Sequence, residues 1–192
     1  SRWIAYDKSL PNGYSAIHVV SVDGGPVRQL TDGLSDAGHP VFDPSGLYLY
    51  FTASTDIGPS VSGFDMNSYP HKTTRSVYLA VLKKGVASPL APESDEEKSV
   101  PEQKAAPKGK EKKSRTDAKG DEKKPNPVVI DCEGLDQRVL ALPISERAIV
   151  GLACGKKGQL LVLEMAGARG DGPRGITLST FDLEKRKLDK VM

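Results

Sequence analysis

An all-β chain of repeated antiparallel sheets is the fold this sequence predicts, and three observations predict it. Hairpin-like segments recur along the chain. A second strand-turn-strand unit recurs between them. Among 192 residues there are 19 Gly and 14 Pro, while aromatic residues make up 6%. That composition suits short strands joined by tight turns.

The elements follow in chain order. Ser1-Arg2-Trp3-Ile4-Ala5-Tyr6 reads as the middle of a strand. An apolar run at 17–20 then enters Val22-Asp23-Gly24-Gly25-Pro26-Val27-Arg28-Gln29-Leu30. This segment leaves an apolar residue, crosses a polar turn and returns to an apolar residue, which signals a hairpin. Next, His39-Pro40-Val41-Phe42-Asp43-Pro44-Ser45-Gly46 leads into Leu47-Tyr48-Leu49-Tyr50-Phe51-Thr52. Pro44 suits a turn position and Gly46 can take positive φ. The run at 77–81 enters the second hairpin pattern, Leu82-Lys83-Lys84-Gly85-Val86-Ala87-Ser88-Pro89-Leu90. The run at 148–153 passes through Gly155-Lys156-Lys157-Gly158 into Gln159-Leu160-Leu161-Val162-Leu163, repeating the strand-turn-strand unit. The run at 176–181 enters the third hairpin pattern, Leu183-Glu184-Lys185-Arg186-Lys187-Leu188-Asp189-Lys190-Val191. Two hairpins per unit make a four-stranded antiparallel sheet, which is one blade of a propeller. The chain therefore reads as a partial β-propeller: the end of one blade, one blade, and most of a third.

Two insertions interrupt the repeat. Residues 55–74 form a Gly/Ser/Pro-rich loop. Residues 92–127 carry Glu93, Asp95, Glu96 and Glu97, then Lys104, Lys108, Lys110, Lys112, Lys113, Lys123 and Lys124, with no aromatic residue. Such a tract buries too little apolar surface to offset its ordering entropy and is expected to be disordered. The domain reading is thus propeller at 1–91, a charged insertion at 92–127, and propeller again at 128–192. Pro127-Val128-Val129-Ile130 with Glu133-Gly134-Leu135 matches Pro26-Val27-Arg28-Gln29 with Asp32-Gly33-Leu34. On that alignment the tract interrupts a hairpin of the second blade. On the alternative it separates the second blade from the third.

Composition excludes little about partners. The formal charge is +2, which argues neither for nucleic acid nor against it. The lysines of the tract lack aromatic residues for base stacking and lie beside an acidic cluster, so a solvated linker is the expectation, with no nucleic-acid partner. No apolar run approaches the ~20 residues of a membrane helix, so no membrane partner is expected. Both ends read as cut, so the lack of a leader leaves the compartment open.

Candidate chemistry is sparse. A nucleophilic mechanism needs Ser or Cys beside a base. The candidate bases are His18 in mid-strand with one face exposed, His39 opening a strand, and His71 in the long loop. None stands in a catalytic motif, and three scattered histidines do not suggest a metal site. No catalytic, cofactor-binding or metal residue is assigned, and no cofactor is expected. Cys132 and Cys154 match no zinc spacing; two reduced, partly buried thiols are the expectation, with a disulfide left open. Asp23, Asp32, Asp36 and Asp43 fall at turns and are expected to cap their own backbone. The stretch Gly167-Ala168-Arg169-Gly170-Asp171-Gly172 lacks a P-loop Lys-Ser/Thr and reads as an inter-strand loop. Phe64, Asp65 and Met66, apolar and acidic residues in a long loop, are candidates for a substrate or domain contact.

Leu30-Thr31-Asp32-Gly33, Pro40-Val41-Phe42-Asp43-Pro44-Ser45-Gly46 and Tyr48-Leu49-Tyr50-Phe51 resemble the propeller repeat shared by TolB-like proteins and tricorn proteases. Phe64-Asp65-Met66, Ser88-Pro89-Leu90-Ala91-Pro92-Glu93-Ser94-Asp95-Glu96-Glu97 and the stretch from Ile130-Asp131-Cys132-Glu133-Gly134-Leu135 to Ala141-Leu142-Pro143 resemble the propeller region of tricorn protease homologues. Asp43-Pro44-Ser45-Gly46 departs from the commoner Ser-Pro-Asp-Gly, and Cys132 stands where an apolar residue is usual. The resemblance implies a serine-type peptidase whose propellers precede PDZ and peptidase domains. It implies peptide substrates and the remaining blades and peptidase domain as partners, leaves a homo-oligomer open, and favours a cytoplasmic over a periplasmic location. No position here matches the family's nucleophile. The segment would filter or guide peptides. The alternatives are a non-enzymatic TolB-like propeller binding a protein partner, and a propeller of another peptidase class.

Overall fold

In the computed structural model, residues 2–55, 74–91, 128–166 and 175–191 are described. They form three successive antiparallel sheets, each a meander in which sequence neighbours pair. The first contains β1 (Trp3–Ser9), β2 (Ser15–Ser21) and the short β3 (Arg28–Gln29), in the order β1-β2-β3. The second contains β4 (Asp36–Phe42), β5 (Tyr48–Ser54), β6 (Ser76–Val81) and β7 (Val139–Ala141). The third contains β8 (Ile149–Cys154), β9 (Gln159–Ala166), β10 (Gly175–Asp182) and β11 (Lys187–Lys190). A 3-10 turn, Asp136–Arg138, leads into β7. Among the described residues no helix is long and apolar enough to cross a membrane.

Turn chemistry places the strand ends. Gly24 and Gly25 between β2 and β3 have φ of 96° and 120°, and Gly46 between β4 and β5 has φ of 74°. Only glycine takes these conformations without steric cost. The β10–β11 turn has no glycine, and there Arg186 adopts φ of 52°.

The sheets pack face to face, which explains their apolar patterns. β5 reads Tyr-Leu-Tyr-Phe-Thr-Ala-Ser, and every residue from Leu49 to Ser54 is buried. A strand with one wet face would alternate instead. Tyr50, Val77, Leu79 and Val81 point into a core shared with Leu160, Val162, Phe181 and Leu183 of the third sheet and its β10–β11 turn. Leu49, Phe51, Ala53, Ala80 and Leu82 point the other way, into a core with Ile17. The second sheet is therefore covered on both faces. β4 lies against β1 and β2, and β8 lies against β4 and β5. On the third sheet the pleat turns Leu161 and Leu163 away from the shared core, towards the face where Met165 is 47% and Ile176 63% exposed.

The second hairpin pattern departs from its sequence reading. The chain leaves β6 through Leu82 and Gly85, but residues 86–90 form no returning strand. β7 supplies it, pairing Val139 with Ala80 and Ala141 with Tyr78. The stretches before and after the charged tract meet at that point. Asp131 N–H donates to the Leu82 carbonyl (2.9 Å), and the Asp131 carboxylate accepts the Lys84 N–H (2.8 Å). The Arg138 guanidinium donates to the carbonyls of Val81 (3.0 Å), Leu82 (3.1 Å), Glu133 (3.3 Å), Gly134 (3.3 Å) and Asp131. One planar fork with five N–H donors thus closes the base of the insertion.

Candidate functional site

Polar side chains gather at the two ends of the sheets. At one end the bulge in β4 sets the geometry. β4 pairs regularly with β5 up to Gly38 opposite Thr52, slips, and resumes at Val41 opposite Tyr50. Between them His39 has φ of 55°, unfavourable for a side chain with Cβ and doubly so before Pro40. His39 therefore sits inside β4 at its bulge, where the sequence reading had it opening a strand. Register, which is a pairing property, decides this position.

The bulge brings the His39 Nδ1 within 3.0 Å of the Thr52 Oγ1. An imidazole beside a hydroxyl can be a base with its nucleophile. Here the roles are reversed. The Thr52 hydroxyl donates its proton to the Gly38 carbonyl (3.1 Å) and is fully buried, so its oxygen accepts from Nδ1–H. Burial, then Arg75, pushes the His39 pKa down against the opposing pull of Asp7 and Asp36. The ring is a neutral donor that holds the bulge.

A charged row continues from this point. The Asp36 carboxylate pairs with the Arg75 Nη2, and the Arg75 Nη1 donates to the Asp36 carbonyl (2.8 Å). The other Asp36 oxygen accepts the Ser15 N–H of β2 (3.0 Å). Arg75 bridges to Arg147 through backbone bonds, and the Arg147 Nη1 pairs with Glu164 of β9 (3.2 Å). The row links all three sheets, and each formal charge in it faces an opposite one. Asp36 was expected to cap its own turn and instead ties two sheets together. His18 was expected to have an exposed face. It is 7% exposed, stacks on Tyr6 at 5.7 Å and 22°, and bonds the Ala16 carbonyl through Nδ1 (3.0 Å). Its cross-strand neighbours cover it, Tyr6 of β1 on one side and Gln29 of β3 on the other.

At the other end Asp43 is 2% exposed. One carboxylate oxygen accepts the Ser45 N–H (2.8 Å), as a turn aspartate should, and the other accepts the Gly158 N–H of the β8–β9 turn (2.9 Å). Burial, then Asp43, pushes Cys154 up to about 12 and moves Tyr50 upward in the same way. Neither is a nucleophile at neutral pH. Asp32 caps the Leu34 N–H (2.9 Å) as expected, while Asp23 pairs with Arg2. Cys132 and Cys154 are free thiols.

These arrangements hold sheets; they do not assemble a nucleophile, a base and an oxyanion site. Among the described residues no three of His, Cys, Asp and Glu converge as a metal site would require. Phe64, Asp65, Met66, His71 and Arg169-Gly170-Asp171 lie outside the described residues. Sequence reasoning missed Arg75, Arg138 and Arg147. Only a charged residue next to an apolar strand hinted at them.

No family model matches the chain. Among curated proteins it is similar to a tricorn protease homolog of Saccharolobus solfataricus, at 27% identity over 97% of this chain. Among solved structures it is similar to the crystal structure of the tricorn protease, with a TM-score of 0.61 and 18% identity over 99% of this chain. The chain spans 15% of the first protein's length and 17% of the second's. The resemblance to tricorn protease homologues read from the sequence is met in both, and the structural match concerns the fold.

Proposed function

We propose that this chain is a non-catalytic stretch of β-propeller in a tricorn-like serine peptidase, guiding or filtering peptides towards a peptidase domain outside it. The observation that carries the reading is the succession of antiparallel meanders, covered face on face, in a chain similar along its length to part of a tricorn protease homolog. Two features support the propeller arrangement. The first strands of the second and third sheets, β4 and β8, lie next to each other, as strands nearest a propeller axis do. The outward face of the third sheet carries apolar residues like those the second sheet buries, which suits a following blade. The compensated charges described above support a role in access and not in chemistry.

The test is active-site labelling of the full-length protein with a fluorophosphonate, which phosphonylates activated serines with loss of fluoride, followed by peptide mapping. The expected result is hydrolysis of short peptides, inhibited in step with labelling at a serine outside residues 1–192. A labelled serine within 1–192 would overturn the assignment of this stretch. Failure to hydrolyse peptides or take up label would overturn the peptidase reading.

A further inference from the structure

A groove of about 250 Å³ lies between residues of the first and second sheets. The half-buried Tyr78 lines it, its ring stacked on the buried Phe51 at 5.6 Å and 18°. Leu30 and Val139 form apolar walls. Its two sides each bring one carboxylate: Asp32 from the loop after β3, and Asp136 from the 3-10 turn before β7. Both residues are exposed, and among the described residues neither has a cationic partner. Asp32 spends one oxygen on the Leu34 N–H (2.9 Å), and Asp136 spends one on the Gln137 side-chain amide (2.9 Å). Each keeps an oxygen for an incoming donor.

We propose that this groove binds an extended peptide segment through one lysine or arginine side chain flanked by apolar residues. The complementarity is specific to that chemistry. A long cationic side chain lays its methylene stem along apolar surface and keeps its charged head in polar surroundings. The Tyr78 ring attracts the cation, and the carboxylates of Asp32 and Asp136 supply opposite charge. A neutral apolar side chain gains only the apolar contact, and an acidic one meets like charge. The site goes beyond the proposed role of the chain: binding is read directly and needs no peptidase activity, so the two stand or fall separately.

The test uses the full-length protein and three blocked pentapeptides with apolar flanks, carrying lysine, norleucine or glutamate at the centre, measured by calorimetry at low and high salt. The lysine peptide should bind about tenfold tighter than the norleucine peptide at low salt, narrowing at high salt as screening grows. Asp32→Asn with Asp136→Asn should remove that preference and leave norleucine binding unchanged. These surface substitutions leave the buried core intact, so lost preference reads the groove and not folding. Tyr78→Leu should weaken the lysine and norleucine peptides together. Equal binding of lysine and norleucine peptides, no binding of either, or a lysine preference that survives the double substitution would overturn the proposal.

Discussion

Replacing Asp43 with Ala should loosen the seam between the second and third sheets. The carboxylate is buried and accepts two backbone N–H groups, Ser45 within its own turn and Gly158 across the seam. A hydrogen bond to a charged group contributes about 1.5–3 kcal/mol net. Truncation removes both bonds and leaves two backbone donors without their acceptor, so the expected loss is about 3–5 kcal/mol. Asp43→Asn separates charge from shape. It keeps one acceptor oxygen but turns an amide donor towards the second N–H, and should lose about 2–3 kcal/mol. Hydrogen exchange of the full chain, followed by mass spectrometry, reads this locally. A loss of 3 kcal/mol speeds exchange about 150-fold wherever amides open with the seam, here β9 and the start of β5. β1 and β2, which lie against other surfaces, should keep their rates. An increase below tenfold in β9 for Asp43→Ala would refute the claim that this carboxylate holds the sheets together.

Further outcomes follow from the same structure. The His39 pKa lies below its ordinary 6.5, so the unfolded chain binds that proton first as pH falls; the His39 contribution is fully present above about 6.5 and is lost below it, and His39→Gln should flatten this part of a stability-against-pH profile. Cys154, pushed from 9.0 to about 12, should alkylate about 10³-fold more slowly with iodoacetamide at pH 8 than a thiol at its ordinary pKa. Gly33 has φ of 80° and a Cβ there would collide with the Leu10 side chain, so Gly33→Ala should lower stability by about 1–3 kcal/mol in a denaturant titration. Arg138→Met removes the fork that binds carbonyls on both sides of the insertion, and amides at 81–84 and 131–134 should exchange faster by a factor corresponding to about 1–2 kcal/mol.

The strands and their turns were legible in the sequence because local chemistry specifies them. Asp23-Gly24 and Pro44-Ser45-Gly46 are turn residues with few alternatives, and the apolar runs beside them became β2, β4 and β5; the runs read at 77–81, 159–163 and 176–181 became β6, β9 and β10. The same locality made Asp32 and half of Asp43 readable, since a turn aspartate bonds its own backbone two residues on. The candidate site residues had no such signal. Asp43 reaches Gly158 across 115 positions, and Asp36 reaches Arg75 across 39. His39 and His18 were misplaced for a related reason: a bulge exists only relative to the partner strand, and burial of a mid-strand side chain depends on which cross-strand neighbours flank it. Tertiary structure alone brought Phe51, Tyr78, Asp32 and Asp136 around one groove. Hairpin turns are chosen by residues next to one another. Seams between sheets are chosen by side chains that meet only once the sheets have packed.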